Sequence, residues 1–141
     1  MIKPRVLVVD DDPLSRKLVA RRLEMLSADI LEASDGAEAF ARLNDSLVDL
    51  LIVDLEMPGM DGYDLLGCVR AVEALKHLPI VVLTGRDDRA SLERALSAGA
   101  TSYLLKPLNW TAFGRHIAHL LSVAAYMRVP HRREGRGRAA G

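Results

Sequence analysis

Cysteine is almost missing from this chain: Cys68 stands alone among 141 residues. A single thiol closes no internal disulfide and builds no thiolate metal cluster, so both a disulfide scaffold and a zinc ribbon are excluded, and Cys68 reads as a small apolar residue of a helix. Long apolar runs are missing too. None approaches the roughly 20 residues of a membrane span, and Met1-Ile2-Lys3-Pro4 leads into a short strand rather than a signal peptide. A cytoplasmic chain with no membrane partner is expected. The first turn, Asp10-Asp11-Asp12-Pro13, has no glycine and presents carboxylates where backbone amides would have to meet a nucleotide phosphate, which argues against a nucleotide-binding domain. No internal repeat is present beyond a strand–helix unit.

What is there suits one domain with a real core. Half the residues are hydrophobic and 27% are charged, both ordinary for a globular chain. Nineteen basic and nineteen acidic side chains cancel overall, yet they are unevenly spread. From residue 128 on there are five arginines (Arg128, Arg132, Arg133, Arg136, Arg138) against Glu134 alone, so the excess acid lies in the body. The segment 128–141 has no apolar periodicity and reads as a flexible basic tail. Five arginines without interleaved aromatics make a weak electrostatic site, so nucleic acid is disfavoured as a partner and a solubilising or linking role is expected.

Short β-branched runs alternate with longer stretches of helical period. Strands are expected at Arg5 to Val9, Ile30 to Ala33, Leu50 to Val53, Ile80 to Leu83 and Tyr103 to Leu105. Between them Leu14, Leu18, Leu23 and Leu26 fit one helical face, as do Ala37, Phe40, Ala41 and Leu43. Leu65, Leu66, Val69 and Val72 mark a third helix, Leu92, Ala95, Leu96 and Gly99 a fourth, and Phe113, Ile117, Leu120, Leu121 and Ala124 a fifth. Such alternation predicts parallel strands joined by right-handed crossovers, with helices on both faces of the sheet. The first, third and fourth strands are continuously aliphatic, as strands buried on both faces are, whereas the second and fifth are mixed. The order 2-1-3-4-5 follows, the doubly wound, flavodoxin-like (βα)5 arrangement of α/β proteins. Asp12-Pro13, Asp35-Gly36 and Asp87-Asp88 open helices, Gly99 closes one, and Pro58-Gly59 and Asp61-Gly62 break the chain, with Asp61 a capping and turn residue.

The polar residues that interrupt the strands all do so at their carboxyl ends. Asp10 and Asp11 follow the first strand, Asp54 the third, Thr84 the fourth, and Lys106 with Pro107 the fifth. In open α/β sheets that edge binds ligands. Three carboxylates gathered there repel one another unless a cation sits among them. Asp10, Asp11 and Asp54 are hard oxygen ligands without histidine or thiolate beside them, which implies Mg²⁺, with Mn²⁺ as the alternative. Lys106 adds a positive charge and Thr84 a hydroxyl. Together these groups suit a transferring phosphoryl group, whose negative charge spreads over its oxygens, and make Asp54 a candidate nucleophile that forms an aspartyl phosphate.

At this point the chain resembles a known family. "VLVVDDDP" (6–13), "LLIVDLEMPGMDG" (50–62), "VVLTG" (81–85) and "GATSYLLKP" (99–107) are similar, in order and spacing, to the signature segments of the receiver domain of two-component response regulators. The resemblance covers about residues 3–126 and divides the chain into a receiver domain (1–127) and the tail (128–141). It implies that Asp54 is the phosphoacceptor. It also implies that Asp10, Asp11, Asp54 and the Glu56 carbonyl hold Mg²⁺, that Thr84 and Lys106 bind the phosphoryl oxygens, and that Lys106-Pro107 is cis. On phosphorylation Thr84 would move toward the new oxyanion and Tyr103 would turn inward, altering the surface of the fourth helix, fifth strand and fifth helix. The implied partners are a sensor histidine kinase or histidine phosphotransfer protein, a downstream effector and, on phosphorylation, a second copy of the chain. The chain is then a signalling phosphoacceptor rather than an enzyme.

Glu56 and Arg86 occupy positions that, by the resemblance, flank the path of the hydrolytic water; a pair between them would shield the acyl phosphate and slow its hydrolysis. Trp110 is expected to pack against the sheet edge. His116 and His119 lie three apart on a helix without a third ligand and are expected on a solvated face. A phosphatase with an aspartyl nucleophile is the rival function, but that class needs a cap domain or a second catalytic aspartate two residues on, and its nucleophile follows the first strand. Nothing after residue 126 is long enough for an effector domain, so output is expected through a partner or as a phosphorelay intermediate, with the receiver part of a larger regulator as the other possibility.

Overall fold

The computed structural model describes residues 3–57 and 62–140, with side chains described as far as residue 125. Strand β1 (Arg5–Val9) leads into helix α1 (Pro13–Glu24), and β2 (Asp29–Ala33) into α2 (Gly36–Asp45). They are followed by β3 (Leu50–Asp54), α3 (Gly62–Ala71), a 3-10 turn at Glu73–Leu75, β4 (Ile80–Thr84), α4 (Arg89–Ala98), β5 (Ser102–Leu105) and α5 (Trp110–Ala140). All strand pairs are parallel and the order is β2-β1-β3-β4-β5, as the aliphatic pattern predicts. The expected turn at 58–61, with Asp61, lies outside the described residues.

Period-two alternation sorts the strand residues into two layers. Leu7, Val9, Leu51, Val53, Ile80 and Val82 face one side, where Ala39, Leu43, Leu65, Leu66, Val69 and Ala95 of α2, α3 and α4 cover them. Val6, Val8, Leu50, Ile52, Val81 and Leu83 face the other, under Val19 and Leu23 of α1 and Phe113, Ile117 and Leu121 of α5. Most of these side chains have no exposed surface, and burial of each valine, leucine, isoleucine or phenylalanine among them contributes about 1.5–3 kcal/mol of hydrophobic stabilisation. The three central strands, close-packed on both faces, therefore form the rigid part of the sheet.

The ladder runs one residue further than the apolar runs suggest. Asp54 pairs with Leu83 and Thr84 with Leu105, so both polar residues are the last members of their strands rather than the first of their loops. The helix starts follow local chemistry. Asp12 accepts from the Leu14 N–H at 3.1 Å with Pro13 at the first helical position, and Asp35 accepts from the Glu38 N–H at 2.7 Å. Asp88 accepts from the Ser91 N–H at 3.0 Å. At the far end of α4, Gly99 takes a φ of 120°, where a Cβ would also lie 2.5 Å from Arg70 Cγ. Arg70 reaches over this gap and donates twice to the Gly99 carbonyl, at 2.9 and 2.7 Å.

Several expectations are corrected. The buried stripe of α1 is Val19, Ala20 and Leu23, while Leu14 and Leu18 are 70% and 49% exposed. Extended one turn back at helical spacing, that stripe reaches Arg16, a charged side chain that apolar periodicity passes over. On α4, Leu96 points outward and Ala95 is the buried residue. His116 is half-buried, 2.7 Å from the Ser102 hydroxyl, because the edge strand β5 offers it a polar partner; His119 is exposed. Trp110 has a packing role, but its partners are on helices rather than the expected sheet edge: it lies edge-on to Phe113 of α5 at 5.5 Å and beneath the Arg22 guanidinium of α1 at 5.2 Å. The backbone of α5 continues as helix to Ala140, through the segment that composition assigned to a tail.

Arg16 and Lys17 both engage Glu32 of β2, at 2.9 and 2.7 Å. Burial pushes the Glu32 carboxyl up, but the hydrogen bonds and charges of Lys17 and Arg16 outweigh it and leave it below the usual glutamate range. A lowered carboxylate stabilises the fold above its ordinary pKa and loses that contribution as pH falls through the lowered value. Glu32→Gln is expected to lower stability by about 1 kcal/mol at neutral pH. The difference from wild type should shrink as pH drops below about 4.5, measured by urea unfolding across pH; a difference constant with pH would contradict the assignment.

Candidate functional site

The carboxyl edge of the sheet gathers the polar residues. Asp10 leaves β1 with its N–H on the Ala33 carbonyl at 3.1 Å, and its side chain is 2% exposed. Its Oδ1 accepts from the Asp12 N–H at 2.9 Å, while Oδ2 is buried without a hydrogen-bond partner among the described residues. Asp54 ends β3, 5% exposed. Its Oδ1 accepts from the Glu56 N–H at 2.9 Å and its Oδ2 from Lys106 Nζ at 2.9 Å. Lys106 stands after β5, its N–H on the Thr84 carbonyl at 2.8 Å, and the Lys106-Pro107 bond is cis.

Ligand oxygens of Asp10, Asp11 and Asp54 lie within 4.8 Å of one another, Asp11 being the exposed member. Burial pushes the Asp54 carboxyl above its usual range; Lys106 and the Glu56 N–H act against this and the Asp10 charge adds to it. Burial alone would lower Lys106, but the hydrogen bond and charge of Asp54, with Asp10 and Glu56 behind, hold its ammonium above the ordinary lysine value. One lysine cannot compensate three clustered carboxylates. The unpartnered Asp10 Oδ2 and an all-carboxylate donor set fit a hard divalent ion such as Mg²⁺ or Mn²⁺.

Thr84, 2% exposed, faces the same edge. Its Oγ1 accepts from the Arg86 N–H at 3.0 Å and donates to Glu56 Oε1 at 3.4 Å. The Gly85 N–H donates to that same Glu56 oxygen at 3.1 Å. The expected pair between Glu56 and Arg86 is not formed: Arg86 Nε turns to Asp88 Oδ1 at 3.5 Å. Asp88, the capping residue of α4, is nearer along the chain than Glu56 is across the mouth. Tyr103 is half-buried on β5 and packs against the layer of α2, α3 and α4.

One contributor escaped the sequence reading and another was read only as a chain break. Arg16 donates to the Asp10 carbonyl at 2.8 Å while Glu32 holds its other arm, which fixes the turn that carries Asp10 and Asp11; the signal was its place one turn before Val19 and Ala20 in the buried stripe. Gly62 opens α3 against the chain just past Asp54. A Cβ there would come within 2.7 Å of Leu55 Cδ2, 2.8 Å of Leu55 Cα and 3.1 Å of the Asp54 carbonyl, so the backbone beside Asp54 would have to shift.

An open doubly wound sheet with an acidic trio, a lysine and a threonine on its carboxyl edge defines a class: receiver-type α/β domains. Residues 6–118 match the family model described as "Response regulator receiver domain". The chemotaxis protein CheY of Pseudomonas aeruginosa is 39% identical over 104 residues, which cover 73% of this chain and 84% of that protein. The sensor protein EvgS of Escherichia coli K12 is 38% identical over 122 residues; the match takes in 86% of this chain but spans only 10% of EvgS. Among solved structures, the chemotaxis protein CheY4 of Vibrio cholerae superposes with a TM-score of 0.80 at 29% identity, covering 84% of this chain and 99% of that one. The chain belongs to the response regulator receiver domain family of two-component systems. Among the described residues, no helix is long and apolar enough to cross a membrane.

Gly62→Ala is expected to lower stability by about 1–3 kcal/mol through overpacking against Leu55, read from the midpoint of a denaturant melt. An unchanged midpoint would show that the segment after β3 yields freely.

Proposed function

We propose that Asp54 accepts a phosphoryl group from a phosphohistidine of a sensor histidine kinase or histidine phosphotransfer protein, with Mg²⁺ held by Asp10, Asp11, Asp54 and the Glu56 carbonyl. The observation that carries this reading is Lys106 Nζ, 2.9 Å from a buried aspartate that shares one edge with two further carboxylates. An Asp54 oxygen attacks phosphorus as the phosphorus–nitrogen bond breaks; the electron pair leaves with the imidazole nitrogen, which takes up a proton. Bound to the trio, the cation would neutralise charge developing on the transferring oxygens. Lys106 meets one phosphoryl oxygen and Thr84 turns its hydroxyl to another, while Tyr103 follows inward. The surface of α4, β5 and α5 then changes for a downstream effector or a second copy of the chain. The protein acts as a phosphoacceptor, not as an enzyme on a separate substrate, and works in the cytoplasm.

A second reading, a relay intermediate or the receiver portion of a larger regulator, is favoured by the match to EvgS, a much longer sensor protein. Labelled phosphate passed from this chain to a second histidine protein would mark a relay; phosphorylation-dependent capture of an effector would mark an output receiver.

Incubation with Mg²⁺ and acetyl phosphate, followed by intact mass, is expected to show one phosphoryl adduct that disappears in Asp54→Asn and on chelation. No adduct with any donor would overturn the reading. Lys106→Ala is expected to slow adduct formation about 100-fold, as loss of a preorganised charge donor does; an unchanged rate would remove Lys106 from the role given to it.

A further inference from the structure

The Glu56 side chain has no task in the proposed transfer, yet it is placed with care. Its backbone N–H sits on Asp54 Oδ1 at 2.9 Å, so the residue is anchored to the acceptor itself. Its carboxylate oxygen Oε1 reaches across the mouth of the site and collects two donors, the Gly85 N–H at 3.1 Å and the Thr84 hydroxyl at 3.4 Å. Thr84 has a single hydroxyl hydrogen. Oγ1 accepts from the Arg86 N–H at 3.0 Å, and Glu56 Oε1, at a long 3.4 Å, is the carboxylate oxygen within reach of its own hydrogen. Arg86, which could have drawn the carboxylate away, instead meets Asp88 at 3.5 Å in an exposed pair.

We propose that Glu56 is a latch: an internal anion that occupies the Thr84 hydroxyl and Gly85 N–H and must be displaced before a phosphoryl group on Asp54 can take these donors. The inference rests on Asp54 as phosphoacceptor and adds a regulating residue to it. An oxyanion on Asp54 and the Glu56 carboxylate are of the same sign and compete for the same hydrogen. The two occupancies therefore exclude each other, and the loop from Thr84 to Asp88 has two arrangements. Glu56 biases that loop toward the unphosphorylated one and raises the donor strength needed to switch it. Its leverage comes from short-range acceptor geometry, so an amide at the same position should retain part of it, since a neutral oxygen still accepts from both donors but more weakly.

The test uses the ¹⁵N-labelled chain with Mg²⁺, titrated with beryllofluoride, a tetrahedral phosphoryl mimic that adds to carboxylates. Glu56→Ala is expected to bind it about tenfold more tightly than wild type, the worth of one charge-assisted hydrogen bond, with Glu56→Gln between the two. The Gly85 amide resonance of the free protein is expected to move in Glu56→Ala, and in wild type to move as beryllofluoride binds. Equal affinities for wild type and Glu56→Ala would overturn the latch. So would Glu56→Gln binding as tightly as Glu56→Ala, which would assign the effect to charge repulsion alone. A Gly85 resonance indifferent to Glu56→Ala would remove the contact on which the proposal stands. If neither wild type nor Glu56→Ala binds the mimic, the phosphoacceptor reading falls and the latch falls with it.

Discussion

Three carboxylates held at one sheet edge form an arrangement that the chain must tolerate at a cost, and the contact between Lys106 and Asp54 is the part of the compensation that the protein supplies itself. The 2.9 Å bond joins the ends of two strands that are not neighbours, since β4 lies between them. It exists only if β3, β4 and β5 are in register, and the register in turn depends on both apolar layers being filled. Asp10 faces the same constraint from the other side: among the described residues its buried Oδ2 has no hydrogen-bond partner, and burial without one is costly. The acidic edge is thus a local instability maintained by a rigid core, a common way for a functional site to be built.

The surroundings distribute that burden. Arg16, held by Glu32, fixes the backbone of Asp10. Gly62 lets α3 begin close against Leu55 and the Asp54 carbonyl, while Arg70 joins the end of α3 to the end of α4 through the Gly99 carbonyl. Arg16 and Gly62 touch no phosphoryl group in the proposed chemistry but fix the backbone that carries Asp10 and Asp54, while the Arg70 bridge ties helix ends at the opposite, amino edge of the sheet. By contrast, the segment from Thr84 to Asp88 is held by polar contacts that can be exchanged one for another. Rigidity on the Asp10 and Asp54 side and exchangeability on the Thr84 side together make a two-state response physically reasonable in so small a domain.

The failures of sequence reading are as informative as the successes. Leu14 and Leu18 fit a helical face on paper and point to solvent, because spacing defines a stripe but not which stripe meets the sheet; the buried one includes Arg16, whose aliphatic stem and charged head satisfy both environments. His116 read as solvated because nothing nearby in sequence is its partner; Ser102 comes from another element. Arg86 and Glu56 are complementary in charge but lie on different loops, and Arg86 found Asp88 two residues away instead. Conversely, the packing role of Trp110 was legible because a large aromatic in the first turn of a helix has few places to go, although its partners proved to be Phe113 and Arg22.

What this sequence determined by itself was the alternation of strand and helix, the burial of the three aliphatic strands and the polar residue at the end of each. Those follow from side-chain period and transfer energy, which act along the chain. The segments "VLVVDDDP" and "LLIVDLEMPGMDG" therefore placed Asp10, Asp11 and Asp54 on one edge before any coordinates were known. Only the tertiary structure decided which oxygen of Asp54 meets Lys106, that Asp10 keeps an oxygen unpartnered among the described residues, and that Glu56 bends over Gly85 and Thr84 rather than toward Arg86. Those choices belong to hydrogen-bond geometry between elements distant in sequence, where a few tenths of an ångström select one donor over another and no one-dimensional pattern carries the information.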